Sequence, residues 1–133
     1  MQLRSAATLL VLLAVAGCGG DESTFSQDYN QAVRPLSRLG AHVGTKPSSF
    51  DALARRTHET RANLADLDPP EGAQDEMKAL LARLDSVTAD LRGVAKAARG
   101  NDVVVQRRAA RQLVRSSNAV EQAETRLKRA VEG

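Results

Sequence analysis

Few residues of this 133-residue chain have side chains that could carry chemistry. There is one cysteine, Cys18, and there are two histidines, His42 and His58. With Met77, the histidines could be considered as axial ligands of a haem iron. No HxxxH, CxxCH or carboxylate-x-x-His pattern accompanies them, and Met77 occupies a regular apolar position, where methionine usually fills a core. We therefore expect no metal and no cofactor.

Five carboxylates gather between the second and third of four helical segments: Asp66, Asp68, Glu71, Asp75 and Glu76. Paired carboxylates can bind calcium or act as acid and base, but both roles need side chains that converge in one pocket. Beside a turn, acidic residues more often stabilise helix starts through the helix dipole. The serines lack a G-x-S-x-G context. The sequence thus predicts no catalytic residue and a protein that is not an enzyme.

Basic residues form a one-sided pattern on the fourth segment. At about 100° per residue, six arginines lie opposite the apolar positions Leu113, Val120 and Leu127, and no acid shares their face: Arg107, Arg108, Arg111, Arg115, Arg126 and Arg129. Such a stripe could meet anionic lipid, a cell-wall polymer or an acidic protein, or it could be an ordinary solvated face. The candidate partner-binding residues are Arg99, Arg107, Arg108, Arg111 and Arg115. Nucleic acid is a poor candidate, because the net charge is only +3 and aromatic side chains are almost absent.

Cys18 follows a segment with the three zones of a secretory signal. Arg4 supplies the positive charge, residues 6–16 are apolar except for Thr8, and small residues precede the cysteine. The apolar zone is about half of the ~20 residues that a lasting membrane-spanning helix needs. We therefore expect residues 1–17 to be a cleaved signal peptide.

The junction resembles the lipobox of bacterial lipoproteins, in which an aliphatic residue and two small residues precede an invariant cysteine. Val15, Ala16, Gly17 and Cys18 match these four places. The resemblance implies a diacylglyceryl group on the Cys18 thiol, cleavage before Cys18, and a protein on the extracytoplasmic face of the cell membrane. Two acyl chains, at ~0.8 kcal/mol per buried methylene, suffice for stable anchoring. The alternative is that Cys18 is an ordinary small residue of a signal segment.

Three regions are therefore expected: a signal peptide at 1–17, a lipidated cysteine with a short tether at 18–24, and a helical domain at 25–133. Removing residues 1–17 removes Arg4 as the only charge, which leaves 18 basic and 16 acidic residues. The remaining chain is long enough for one modest core. Abundant alanine and the absence of alternating apolar runs indicate helices with slim, closely approaching seams.

Four segments carry apolar or small residues at alternating spacings of three and four. Their stripes are Phe25–Tyr29–Ala32–Leu36–Leu39–Val43, Phe50–Leu53–Thr57–Thr60–Leu64–Leu67, Ala73–Met77–Leu80–Leu84–Val87–Leu91–Val94–Ala98, and Val103–Gln106–Ala110–Leu113–Ser117–Val120–Glu124–Leu127–Val131. Pro35 predicts a kink or a break in the first helix.

The ends of the helices have their own signals. Ser48 with Asp51 resembles a capping box that starts the second helix. Pro70 suits the first turn of the third, with Glu71 at its positive end. Gly100 should end the third helix, and Asn101 or Asp102 should cap the fourth.

Short connections predict an all-α fold, an antiparallel up-down bundle of four helices whose last two form a long hairpin. The alternative is a three-helix bundle with the Pro35 region lying outside it. In the four-helix arrangement the hairpin could overhang at the end near residues 99–102. Val94, Ala98 and Val103 would then lose cover and could receive a partner.

The body weakly resembles uncharacterised alanine- and arginine-rich helical lipoproteins of actinobacteria, most clearly where residues 64–70 read LADLDPP before a long helix. This resemblance carries no activity. We expect a lipid-anchored, non-enzymatic binding or scaffolding module at the cell envelope. The alternative is a bundle that carries a small ligand, haem or metal between its helices.

The lipobox makes a prediction that mass spectrometry can check. The protein purified from the membranes of its native host should lack residues 1–17 and carry a diacylglyceryl adduct on Cys18, with or without a further acyl chain on the new amino terminus. A product that begins at Met1 with an unmodified thiol would contradict the lipoprotein interpretation.

Overall fold

The chain folds into four antiparallel helices in the computed structural model, which describes residues 20–40 and 46–133, and the side chains of residues 24–36 and 46–133. The helices are α1 (Gly20–Gly40), α2 (Pro47–Ala65), α3 (Gln74–Arg99) and α4 (Val103–Glu132). No strand occurs in these ranges. The lipobox residues Val15, Ala16, Gly17 and Cys18, together with His42, lie outside the described residues.

The α3–α4 turn follows the sequence signals closely. Asp102 caps α4, since its Oδ1 accepts hydrogen bonds from the backbone N–H groups of Val104 at 2.9 Å and Val105 at 3.2 Å. The Gln106 side chain reaches back over the turn and donates to the carbonyl oxygen of Gly100 at 2.9 Å. The turn therefore satisfies backbone groups that a helix end leaves without partners.

Two other helix starts differ from expectation. The second helix begins at Pro47, with Lys46 at the N-cap position and no side-chain cap, so Ser48 does not form a capping box. Proline at the first position starts this helix because its fixed φ is already helical and the missing N–H costs nothing there. The third helix begins at Gln74, because Gly72 has a φ of +90° that takes residues 70–73 through a turn. Glu71 thus lies before the helix, and Asp75 and Glu76 occupy its first turn.

The first helix is longer at its start than predicted. It already includes Gly20, so the tether expected over residues 18–24 is helical from Gly20 onwards. It also continues through Pro35 to Gly40 rather than breaking there. A single proline removes one hydrogen-bond donor, and a helix can span this defect when other contacts hold it.

The helices alternate in direction, as the fold prediction required. One end of the bundle, which we call the Pro69 end, contains the start of α1, the 66–73 turn and the end of α4. The start of α2 and the 100–102 turn lie at the opposite end, the Gly100 end. Extensive contacts join α1 to α2, α2 to α3, and α3 to α4.

The largest apolar cluster occupies the Pro69 end and includes all four helices. Phe25 comes from α1, Leu64 from α2, Met77 and Leu80 from α3, and Leu127 from α4. Leu64 and Leu80 are completely buried. Phe25 is the buried side chain that the described part of α1 contributes to this cluster, so the cluster holds the first helix against the other three.

In the half of the bundle near the Gly100 end, the buried positions of α3 and α4 differ from those of the predicted stripes. In α3, Thr88 and Ala95 are buried where the pattern named Val87 and Val94, which are only partly covered. In α4, Ser116 and Ala123 replace Ser117 and Glu124. A straight α-helix has 3.6 residues per turn and drifts by ~20° per heptad from a strict 3.5 repeat, so spacings of four gradually prevail.

Hydroxyl groups lie in the core of the Gly100 half, Thr57 at its predicted position and Thr88 as a result of the drift. Thr57 donates to the carbonyl oxygen of Leu53 at 2.8 Å, and Thr88 donates to that of Leu84 at 3.0 Å. Each buried hydroxyl thus uses its own helix as the acceptor and needs no partner across the seam. Apart from Leu91, the buried side chains of this half are mostly alanine, threonine and serine, which are smaller than the leucines of the Pro69 half.

The hairpin of α3 and α4 is long, at 26 and 30 residues, but α3 does not overhang its neighbour. Arg99 in the last turn of α3 forms an ion pair with Asp51 near the start of α2. Val94 and Ala98 keep partial cover, whereas Val103 is 55% exposed. The expectation of an uncovered end is therefore wrong for α3, and only the start of α4 stands open.

The apolar cluster predicts a large difference between neighbouring positions of α3. Leu80→Ala should lower the free energy of unfolding by about 3 kcal/mol, because it removes a fully buried side chain and leaves a cavity. Lys78→Ala, two residues away and exposed, should change it by less than about 0.5 kcal/mol. Urea unfolding followed by circular dichroism measures both. Equal effects would show that the cluster is not the core.

Candidate interaction surface

The arginines of α4 project from the bundle as the helical pattern predicts. Arg107, Arg108, Arg111 and Arg115 are all exposed, and the buried residues Ser116, Ala123 and Leu127 lie on the other side of the helix. Arg126 and Arg129 continue the exposed row toward the Pro69 end. The row exists because α4 packs one narrow apolar stripe against its neighbours and leaves more than half its circumference in water.

Few of these guanidinium groups have protein partners. Among the side chains that the structure describes, no carboxylate lies within ion-pair distance of the six α4 arginines. Arg115 donates to Oε1 of Gln112 at 2.9 Å on its own helix. The positive charge of the row is therefore available to an outside partner.

Arg99 differs from the other candidate residues because its charge is already paired with Asp51. The second carboxylate at the Gly100 end, Asp102, is also engaged, since it caps α4. Lys46 and Lys96 add exposed positive charge there. The Gly100 end is thus basic, whereas exposed carboxylates cluster at the Pro69 end: Asp66, Asp68, Glu71 and Asp75.

Four valines add exposed apolar surface to the basic half of α4, and the sequence stripe did not identify them as a group. Val103, Val104, Val105 and Val114 are between 46% and 64% exposed. Val103 was expected in the seam, and that expectation is wrong. Three consecutive valines point in three directions about 100° apart, so at least one of them had to face away from the core. The run of three valines in the sequence could therefore have indicated an exposed valine at the start of α4.

A groove separates α1 from α4, because these two helices approach less closely than the other neighbours. Its volume is about 790 Å³. Phe25, Val33 and Val131 supply apolar wall, and Glu121 and Lys128 supply charge. The hydroxyl of Tyr29 crosses it and donates a hydrogen bond to Oε1 of Glu124 at 3.0 Å. This bond joins α1 to α4 midway along the groove.

The environment of the Tyr29 phenol disfavours its ionisation. Burial raises the pKa of Tyr29 well above its ordinary value of 10.0, and the negative charge of Glu124 and the hydrogen bond to it raise the pKa further. The phenol therefore stays neutral at any physiological pH and remains the donor of the hydrogen bond to Glu124.

The structure separates the residues considered as metal or haem ligands. Met77 is buried in the apolar cluster, whereas His58 is exposed on α2. Within residues 20–40 and 46–133, no three His, Cys, Asp or Glu side chains come together as a metal site would require. The carboxylates around the 66–73 turn likewise spread over an exposed surface rather than converging.

In the described part of the chain, no helix has both the length and the apolar character required to cross a bilayer. Comparison with protein-family models, with curated proteins and with solved structures found no match to this chain.

The Tyr29–Glu124 contact predicts a pH dependence that the single tyrosine makes easy to observe. In the folded chain, tyrosinate absorbance should appear only well above pH 10, whereas in urea it should appear near the ordinary pKa. Since the raised pKa belongs to the folded state, its contribution to stability is complete below about pH 10 and is lost as the pH rises beyond that value.

Glu124→Gln is the matched control for this titration. The amide keeps the size of the side chain but removes the negative charge, so the pKa of Tyr29 should fall partway toward its ordinary value. A folded wild-type chain that titrates like free tyrosine would show that α1 is not docked on α4.

Proposed function

We propose that this protein is a lipid-anchored helical bundle on the extracytoplasmic face of the cell membrane, where it acts as a non-enzymatic binding or scaffolding module. The observation that carries the proposal is the row of exposed arginines on α4, none of which is neutralised by a carboxylate among the described side chains. Concentrated charge of one sign attracts partners of the opposite sign and speeds their association.

The proposed anchor gives the bundle a direction. Cys18 precedes Gly20, the first residue of α1, by two residues, which reach about 7 Å when extended. A lipid on Cys18 therefore holds the Pro69 end close to the membrane. The Gly100 end is directed outward, with Arg107 about 36 Å of helix away from Val131.

This direction places the arginines of the outer half of α4 far from the leaflet that would hold the anchor. Arg107 and Arg108 stand several Debye lengths from the leaflet, each length being about 8 Å at physiological ionic strength. The arginines of the outer half are thus placed to meet a partner other than the membrane that carries the anchor.

Crosslinking on intact cells tests this function. A membrane-impermeant, amine-reactive reagent should join the wild-type protein to specific neighbours, and Arg107→Gln/Arg111→Gln/Arg115→Gln should lose at least one of them. These substitutions leave every lysine in place, so the reactivity of the protein itself is unchanged. We expect Cys18→Ser to take up no labelled palmitate and to lose the same neighbours.

The matched control for charge is Arg126→Gln/Arg129→Gln, which removes positive charge from the same helix near the Pro69 end. It should retain the neighbours that the wild type captures. Identical crosslinked products from all variants would refute the binding role of the arginine row.

A second candidate function is a carrier of a small ligand, and the groove between α1 and α4 favours it. The groove has the volume of a small-molecule site, although its carboxylates make it more polar than a typical one. Native mass spectrometry, an absorption spectrum and metal analysis of the protein purified from its host decide between the two. A stoichiometric ligand, a Soret band or bound metal would establish the carrier.

A further inference from the structure

We infer that the outer half of α4 binds an acidic amphipathic helix of another envelope protein. The binding surface, which we call the valine–arginine face, consists of Val104, Arg107, Arg108, Arg111, Val114 and Arg115. The inference rests on the proposed binding function and names the class of partner.

The spacing on this face is that of a second helical seam. Val104, Arg107, Arg111 and Val114 follow one another at intervals of three, four and three residues. Their stripe lies opposite the seam that α4 packs into the bundle, and Arg108 and Arg115 flank it. From residue 104 to residue 115 it extends about 16 Å, or three turns. Alternating spacings of three and four present grooves that accept the ridges of another helix.

The exposed valines add little to the stability of the bundle. Val104 is 64% exposed and Val114 is 59% exposed, so neither gains much from burial. Valine also has a lower helix propensity than alanine by about 0.5 kcal/mol, because its branched side chain loses rotamer freedom in a helix. Alanine at both sites would favour folding, so their valines point to a contact that the isolated bundle lacks.

The mixture of valine and arginine selects among the acidic partners. A phosphate polymer or a lipid headgroup would satisfy the guanidinium groups but would leave the valine side chains in water. A protein helix with apolar residues in its seam and carboxylates on its flanks covers both kinds of surface. Arginine is enriched in protein interfaces, and the centre of an interface is more apolar than its rim.

Binding to designed probes tests this inference on the full-length protein purified from its host. The probe is a labelled peptide of about 20 residues, or ~30 Å of helix, with leucines at alternating spacings of three and four and glutamates on both flanks. A scrambled peptide has the same composition without the stripe. Polyglutamate presents charge alone, and poly(glycerol phosphate) represents both headgroup and cell-wall phosphate.

We expect the striped peptide to bind at least tenfold more tightly than the scrambled peptide and than either polymer. Val104→Thr/Val114→Thr should weaken its binding at least tenfold, although threonine keeps the shape and the helix propensity of valine. Arg107→Gln/Arg111→Gln should have a similar effect, and Arg126→Gln/Arg129→Gln should change binding less than twofold. Thermal unfolding of the Val104→Ala/Val114→Ala variant should show unchanged or higher stability.

Equal binding of the striped and scrambled peptides, or tighter binding of either polymer, would overturn the inference in favour of charge recognition alone. Absence of peptide binding would also overturn it. The crosslinking experiment tests the proposed function independently of the peptide. If Arg107→Gln/Arg111→Gln/Arg115→Gln loses neighbours on intact cells, the proposed function is supported even when the peptide does not bind. If that variant keeps all neighbours, the proposed function is refuted.

Discussion

The apolar cluster at the Pro69 end is the constraint on which the rest of this fold depends. It brings together Phe25, Leu64, Leu80 and Leu127, one from each helix, and it contains two of the largest fully buried side chains. The three connections of an up-down bundle alone would leave α1 free to swing away from α4, since no turn joins those two helices. Phe25, together with the Tyr29–Glu124 hydrogen bond, supplies the contact that closes the bundle on that side.

The core of the opposite half differs from this cluster. Buried hydroxyls such as those of Thr57 and Thr88 bond to their own helices, and most of the buried side chains of this half are small. The narrow seam buries only a small part of the circumference of α4 there. The arginines and valines around the rest of that circumference are exposed for this reason, and their contacts with a partner would not disturb the core.

The sequence predicted the fold class, the four helices, the alternation of directions and most of the cluster at the Pro69 end, because long apolar stripes and strong breakers such as Gly100 act locally. The predictions that were wrong concern features that depend on the exact helical repeat over many turns or on contacts with another helix.

In α3 the buried position shifts from Val87 to Thr88, because a helix has 3.6 residues per turn and the predicted stripe assumed 3.5. The ion pair between Arg99 and Asp51 could be predicted only by knowing how far α2 and α3 are shifted along each other. The exposure of Val104 and Val114 needed the direction in which α4 faces the bundle. The arginine row was predictable because its residues lie on one helix and need only their own spacing.

The separation of charge along the bundle limits how copies of this protein could associate. With the proposed anchor, neighbouring copies stand parallel, so the basic Gly100 end of one lies beside the basic Gly100 end of the next. Attraction between the basic end of one copy and the carboxylates at the Pro69 end of another would need a shift of nearly the full helix length, which anchors in one membrane would prevent. Like charges at this spacing repel where screening is incomplete. With the proposed anchor, the arginines of α4 would therefore oppose lateral self-association of copies that stand close together.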